Sequence, residues 1–136
     1  MRILWFTNTP MPDVNSYYGK DVKGTGGWMG GLLEFLKGRK GLELGVVTAC
    51  SQYPESRFQV DGVDYFIVKQ QSSKLRRDLF TVDNSPIYLK KCVEIVNIFR
   101  PDLIHVHGTE RFYAELMSKD KVQCPLVISI QGIMDA

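Results

Sequence analysis

Three short stretches carry residues whose type and spacing could do chemistry: Gly24-Thr25-Gly26-Gly27, His105-Val106-His107-Gly108-Thr109-Glu110-Arg111, and Gln131-Gly132. Glycines ahead of a helix let backbone amides approach a phosphate or a sugar, and the helix dipole adds attraction for an anion. The same glycines can equally serve as a tight entrance into the helix and nothing more. They do not form the dinucleotide fingerprint G-x-G-x-x-G, because the position three after Gly26 is Met29 and the loop ahead is too long for that turn. His105 and His107 stand two apart, so on a strand both share a face with Leu103. A metal site wants a third ligand, and the spacing supplies none. His105, in mid-strand, is expected to be a satisfied core residue. His107, at the strand's carboxyl end, is expected to face a cleft and exchange a hydrogen bond or a proton. Glu110 is open to three readings: a base, a hydroxyl acceptor, or a first-turn carboxylate favoured by the helix dipole. Arg111 is either an anion ligand or a solvated helix arginine. The basic run Lys74-Leu75-Arg76-Arg77 suits a phosphate, an anionic membrane surface, or simply a solvated loop.

Positioning such residues falls to the elements between them. Ile3 to Thr7 is a short apolar run of the kind buried in a parallel sheet. Residues 8–26 carry Asn, Pro, Asp, Ser, Tyr and Gly without apolar periodicity and read as one long loop. Trp28, Leu32, Phe35 and Leu36 recur at helical spacing, so residues 28–38 should form an amphipathic helix stopped by Gly38 and Gly41. Gly30 and Gly31 inside it would favour close packing on the sheet. Leu42 to Ala49 reads as the second strand. Phe58 to Val68 alternates around Asp61-Gly62, a two-residue hairpin signal that interrupts the β-α-β rhythm. Residues 69–85 are polar and basic without periodicity. Ser85 as N-cap and Pro86 at the first helical position open a helix whose buried stripe is Leu89, Val93, Val96 and Ile98 to Phe99, ended by Pro101. Asp102 to His107 is the clearest internal strand, followed by a helix over about residues 110–119 and a last strand from Leu126 to Gln131. This alternation predicts an α/β fold, a doubly wound, mostly parallel sheet of the Rossmann-like kind with helices on both faces. Ligands then bind beyond the carboxyl ends of the strands, where the three stretches collect.

Composition narrows the class without naming a partner. With 44% hydrophobic and 24% charged residues over 136 positions, the chain reads as one globular domain able to bury roughly two thirds of its unfolded surface. Seventeen Lys and Arg against fifteen Asp and Glu is too even for a general nucleic-acid binder. Cys50, Cys92 and Cys124 are scattered and form no C-x-x-C pair, which indicates neither a disulfide framework nor a zinc site and favours a reducing cytoplasm. The apolar start is far shorter than a signal core or the ~20 residues of a membrane span.

Taken together, the chain resembles the N-terminal domain of GT-B glycosyltransferases of the family 4 type. The resemblance rests on Met1-Arg2-Ile3-Leu4, on Gly26-Gly27 heading a helix that contains Leu32 to Leu36, on Arg100-Pro101-Asp102-Leu103-Ile104-His105-Val106-His107-Gly108, and on Pro125-Leu126-Val127-Ile128-Ser129-Ile130-Gln131-Gly132. It covers nearly the whole chain. It implies transfer of a sugar from a nucleotide-sugar donor, a substrate rather than a cofactor, to a glycan or lipid-linked acceptor held mainly by this domain, in surface polysaccharide or glycoconjugate synthesis. It also implies a retaining, metal-independent reaction at the cytoplasmic side, with contact to the inner face of a membrane left open. Gly26 and Gly27 would lie near the donor diphosphate and the acceptor, with His107 the candidate catalytic residue and Glu110 and Gln131 binding residues. Many relatives carry a histidine where this chain has Gln131, and glutamine can position a hydroxyl but cannot move a proton. The family's C-terminal donor domain would follow Ala136, so the chain is expected to be a truncated half and inactive alone. The alternative from another class is a non-catalytic Rossmann-like module that binds a nucleotide or carbohydrate.

Overall fold

The structure, a computed structural model, describes residues 1–20, 27–71, 85–109, 111–118 and 122–130. The strands are β1 (Arg2–Thr7), β2 (Glu43–Cys50), β3 (Ser56–Val60), β4 (Val63–Lys69), β5 (Leu103–His107) and β6 (Leu126–Ser129). The helices are α1 (Pro12–Tyr17), α2 (Gly27–Leu36), α3 (Ser85–Phe99) and α4 (Glu115–Ser118), the last preceded by a 3-10 turn at Phe112–Ala114. The strands make one six-stranded sheet in the order β3-β4-β2-β1-β5-β6. All neighbours are parallel except the β3–β4 hairpin. This is an α/β fold with a mostly parallel sheet, consistent with the Rossmann-like class.

The apolar run after Met1 is central because both faces of β1 are covered. Leu4 and Phe6 join the cluster on one face, with Leu89, Cys92, Val96 and Phe99 of α3. Trp5 joins the other, with Met11 and Val14 around α1 and Met29 and Leu33 of α2. Strand order reverses between β1 and β5, since β2 follows β1 on one side and β5 lies on the other. Such a reversal opens a crevice at the carboxyl ends of the strands. Phe99 presses so close to the sheet that a β-carbon on Gly45 would lie 2.8 Å from Leu4 Cδ1 and 2.9 Å from Phe99 Cε2.

Several elements depart from the sequence reading. Residues 12–17 are helical rather than loop: Pro12 occupies the first turn with Asp13, and Met11 and Val14 are fully buried. Six residues are too few to display a helical period. The hairpin turns at Asp61 and Gly62, both at positive φ (48° and 78°), the backbone that a two-residue hairpin turn requires. Its second strand is no excursion, since β4 lies parallel to β2 along seven residues. In α3 the buried stripe is Leu89, Cys92, Val96 and Phe99, whereas Ile98 is 58% exposed. The helix begins at Ser85 itself, one position before the expected start, and ends with Arg100 at φ 53°, whose N–H donates to the Val96 carbonyl at 2.8 Å. The expected helix after β5 is a 3-10 turn followed by four α-helical residues. Gly31 is exposed, and a β-carbon added there would meet no atom of the described residues within 4 Å, so it does not serve packing against the sheet.

Candidate functional site

Where strand order reverses between β1 and β5, the first turn of α2 meets the last residue of β5. Gly27 starts α2 at φ 46°, and among the described residues a β-carbon there would meet nothing within 4 Å. The left-handed conformation is costly for any residue with a side chain. The next residue, Trp28, brings its indole to 5.6 Å from the His107 ring. The first turn of the glycine-led helix and the strand-end histidine thus meet through Trp28.

His107 differs from its expected setting. It is fully buried rather than open to a cleft, enclosed by Trp5 at 4.6 Å, Trp28 at 5.6 Å and His105 at 3.9 Å between ring centroids. Neither ring nitrogen has a hydrogen-bond partner among the described residues. Burial, reinforced by the neighbouring His105, pushes its pKa down to about 4. At neutral pH the imidazole is therefore uncharged, with one N–H donor and one lone-pair acceptor on offer. It is poorly suited to act as a general acid there, and well suited to bind a hydroxyl.

His105 is half-buried, and its Nε2 meets Ser129 Oγ at 2.7 Å, tying β5 to β6. Burial lowers its pKa too. His105 is satisfied by a hydrogen bond as expected, but it lies half-buried rather than in the core. Arg111 is held by Gln70, its Nη1 donating to Oε1 at 2.9 Å, and precedes the 3-10 turn rather than lying in a helix. Gly24, Gly26, Glu110, Gln131, Gly132 and the basic run Lys74 to Arg77 lie outside the described residues.

Against family models, curated proteins and solved structures, the chain has no match. Its site is read from its own residues.

Two sets of supporting residues escape the sequence reading. Tyr113, fully buried, accepts the Ala49 N–H at 2.8 Å and donates to the Thr7 carbonyl at 3.2 Å, bridging the carboxyl ends of β2 and β1. Burial raises its pKa well above the ordinary phenol value. Beside it the Thr7 and Thr48 hydroxyls meet at 2.7 Å, and Thr7 Oγ1 donates to the Thr9 carbonyl at 3.1 Å. These bonds fix where β1 leaves the sheet. The second set is a clasp around Lys37, whose Nζ lies 2.7 Å from Asp13, 2.6 Å from Glu34 and 3.5 Å from Asp61. Tyr65 donates to the same Asp13 carboxylate. Burial alone would lower the Lys37 pKa, but the hydrogen bonds and charges of Asp13 and Glu34 outweigh it and the net shift is upward. The clasp joins α1, α2 and the hairpin turn. Only the Glu34–Lys37 pair is local in sequence; Asp13 and Asp61 come from other segments of the chain.

Two clefts lie away from this part of the sheet. One of about 280 Å³ runs between the hairpin and α3, lined by Arg57, Phe66, Lys91 and Ile95, and one of about 390 Å³ lies at the amino end of the sheet beside Arg100, Pro101 and Cys124. Among the described residues no group of three or more His, Cys, Asp or Glu side chains could hold a metal ion. Among the same residues no helix is long and apolar enough to cross a membrane.

Proposed function

We propose that the chain is the acceptor-side, N-terminal half of a GT-B glycosyltransferase of the family 4 type, a doubly wound domain acting on the cytoplasmic side. Together with a donor-binding domain it would transfer a sugar from a nucleotide-sugar donor to a glycan or lipid-linked acceptor, with peripheral contact to a membrane surface. One observation carries the reading: a helix led by Gly27 at positive φ opens beside a buried, unpartnered His107 at the crevice where strand order reverses, His107 being without a partner among the described residues.

The division of labour follows from the chemistry of these groups. The dipole at the start of α2 and the backbone around Gly27 would receive the departing diphosphate, and the space the described residues leave at Gly27 lets its oxygens come close. Neutral His107 would hold an acceptor hydroxyl in line with the donor carbon, a positioning role worth more than proton transfer from a group with so low a pKa. Gly26, Glu110 and Gln131 would complete the binding set. Tyr113 and the Lys37 clasp hold β1, α1 and α2 in register around it.

The test is Gly27→Val in a protein that contains this chain and its donor domain. A β-branched residue at φ 46° both strains the backbone and fills the space reserved for the diphosphate. Nucleoside diphosphate release should fall by about 100-fold or more. Unchanged turnover would remove the glycine-led helix from the mechanism, and nucleotide binding without turnover in the parent protein would favour a non-catalytic binding module.

A further inference from the structure

Trp28 and His107 make an unusual pair. The indole is 55% exposed in the first turn of α2, while the imidazole beneath it is closed to solvent with both nitrogens unpartnered among the described residues. A buried polar group left without a partner needs a reason, and an exposed tryptophan is a ready contact surface. Of the rings around His107, Trp5 is 2% exposed and packed in the core, so Trp28 is the one that can yield to a ligand.

We propose that Trp28 and His107 form a subsite for a pyranose ring, the sugar's apolar C–H face resting on the indole and one ring hydroxyl bonded to the imidazole. The electron-rich face of an indole attracts the slightly positive hydrogens of such a C–H face. A neutral imidazole offers one donor and one acceptor, and a hydroxyl can satisfy either nitrogen whichever carries the proton. A phosphate or carboxylate oxygen, which only accepts, could meet only the nitrogen that carries the proton. The identity of this sugar as the acceptor rests on the sugar-transfer reading above; the subsite itself does not.

The 136-residue chain carries two tryptophans, so its indole N–H signals in a nitrogen-15 NMR spectrum separate an exposed reporter from a buried control. Titration with maltose, cellobiose and lactose should shift the Trp28 signal saturably with at least one disaccharide and leave Trp5 in place. His107→Phe should weaken that binding about tenfold, and Trp28→Ala should abolish it as followed by calorimetry. The subsite is overturned if no disaccharide moves Trp28, if His107→Phe binds as tightly as the parent, or if uridine monophosphate moves Trp28 and the sugars do not. Disaccharide binding by a protein that transfers no sugar would overturn the transferase reading alone. Sugar transfer with an acceptor KM unchanged by Trp28→Ala would overturn the subsite alone.

Discussion

Replacing His107 by phenylalanine should stabilise the protein while impairing its site. The substitution keeps an aromatic ring against Trp5, Trp28 and His105 and removes two nitrogens that lack partners among the described residues. An unsatisfied buried polar group costs about 1–3 kcal/mol. Part of that gain goes into fitting the slightly larger ring, leaving a net stabilisation of about 1 kcal/mol at pH 7. Alanine should act in the opposite direction. Emptying a fully packed aromatic position costs about 3–5 kcal/mol, which the relief of the unpartnered nitrogens only partly offsets. Acid then separates the variants further. The unfolded His107 takes up a proton near pH 6.5 and the folded one only near pH 4, so the unfolded chain holds more protons in that window and stability falls as the pH drops through it. The loss attributable to this ring is at most about 3 kcal/mol by pH 4. His105, shifted the same way, adds to the fall in both proteins. Urea unfolding followed by tryptophan fluorescence at pH values of about 7, 5.5 and 4.5, chosen to span that window, gives the curves. The phenylalanine variant should lead at neutral pH and widen its lead in acid. A parent protein as stable as the variant at every pH would show that His107 is partnered or solvated, and would remove the physical basis of its proposed role.

Three further perturbations test the frame around the site. Gly45→Ala forces a β-carbon into Leu4 and Phe99 in the core and should cost about 1–3 kcal/mol in chemical denaturation. Gly31→Ala, on the exposed face of α2 with open space around it, should stabilise by about 0.5–1 kcal/mol and raise the melting temperature. Tyr113→Phe leaves the Ala49 N–H and the Thr7 carbonyl without their shared hydroxyl. It should cost about 1–3 kcal/mol and speed amide exchange at Ala49, whereas unchanged exchange would mean that the hydroxyl does not hold the strand ends.

Much of the sheet is legible because buried parallel strands are continuous apolar runs. Ile3 to Thr7, Leu42 to Ala49 and Asp102 to His107 coincide with β1, β2 and β5 within a residue or so at either end. Asp61-Gly62 announces the hairpin through a turn chemistry that few residues satisfy. What the pattern does not convey is pairing at a distance. β4 runs beside β2 because β3 reaches the outer edge before the chain turns back, and nothing in Val63 to Lys69 says which neighbour it will take. Cys92 reads by type as a thiol, yet it packs as an apolar member of the α3 stripe. The expected stripe therefore omits Cys92, while Val93 packs against the same cluster from its partly buried edge.

The histidines illustrate the same limit at the site. Their spacing of two places both on one face correctly, as their ring contact at 3.9 Å confirms. Depth is invisible in the spacing, because it depends on Trp5 from the adjoining strand and Trp28 from a helix about eighty residues earlier. A strand-end position suggests exposure for His107, and those two indoles reverse it. Gly27 stands out in the sequence by its closeness to a helix start, and its positive φ supplies the stronger reason. Tyr113 carries no local signal, and for Lys37 only the pairing with Glu34 three residues earlier is local. A hydroxyl bridging two strand ends and an ammonium that also collects Asp13 and Asp61 exist only after the chain has folded.

The most direct measurement of the proposed function is nucleoside diphosphate release from a panel of nucleotide sugars by the protein containing this chain and its donor domain, with and without added oligosaccharide or lipid-linked acceptor. Release that depends on both a particular donor and an acceptor, and that Gly27→Val abolishes, is the expected result. Release that is absent with every donor, or untouched by Gly27→Val, contradicts it.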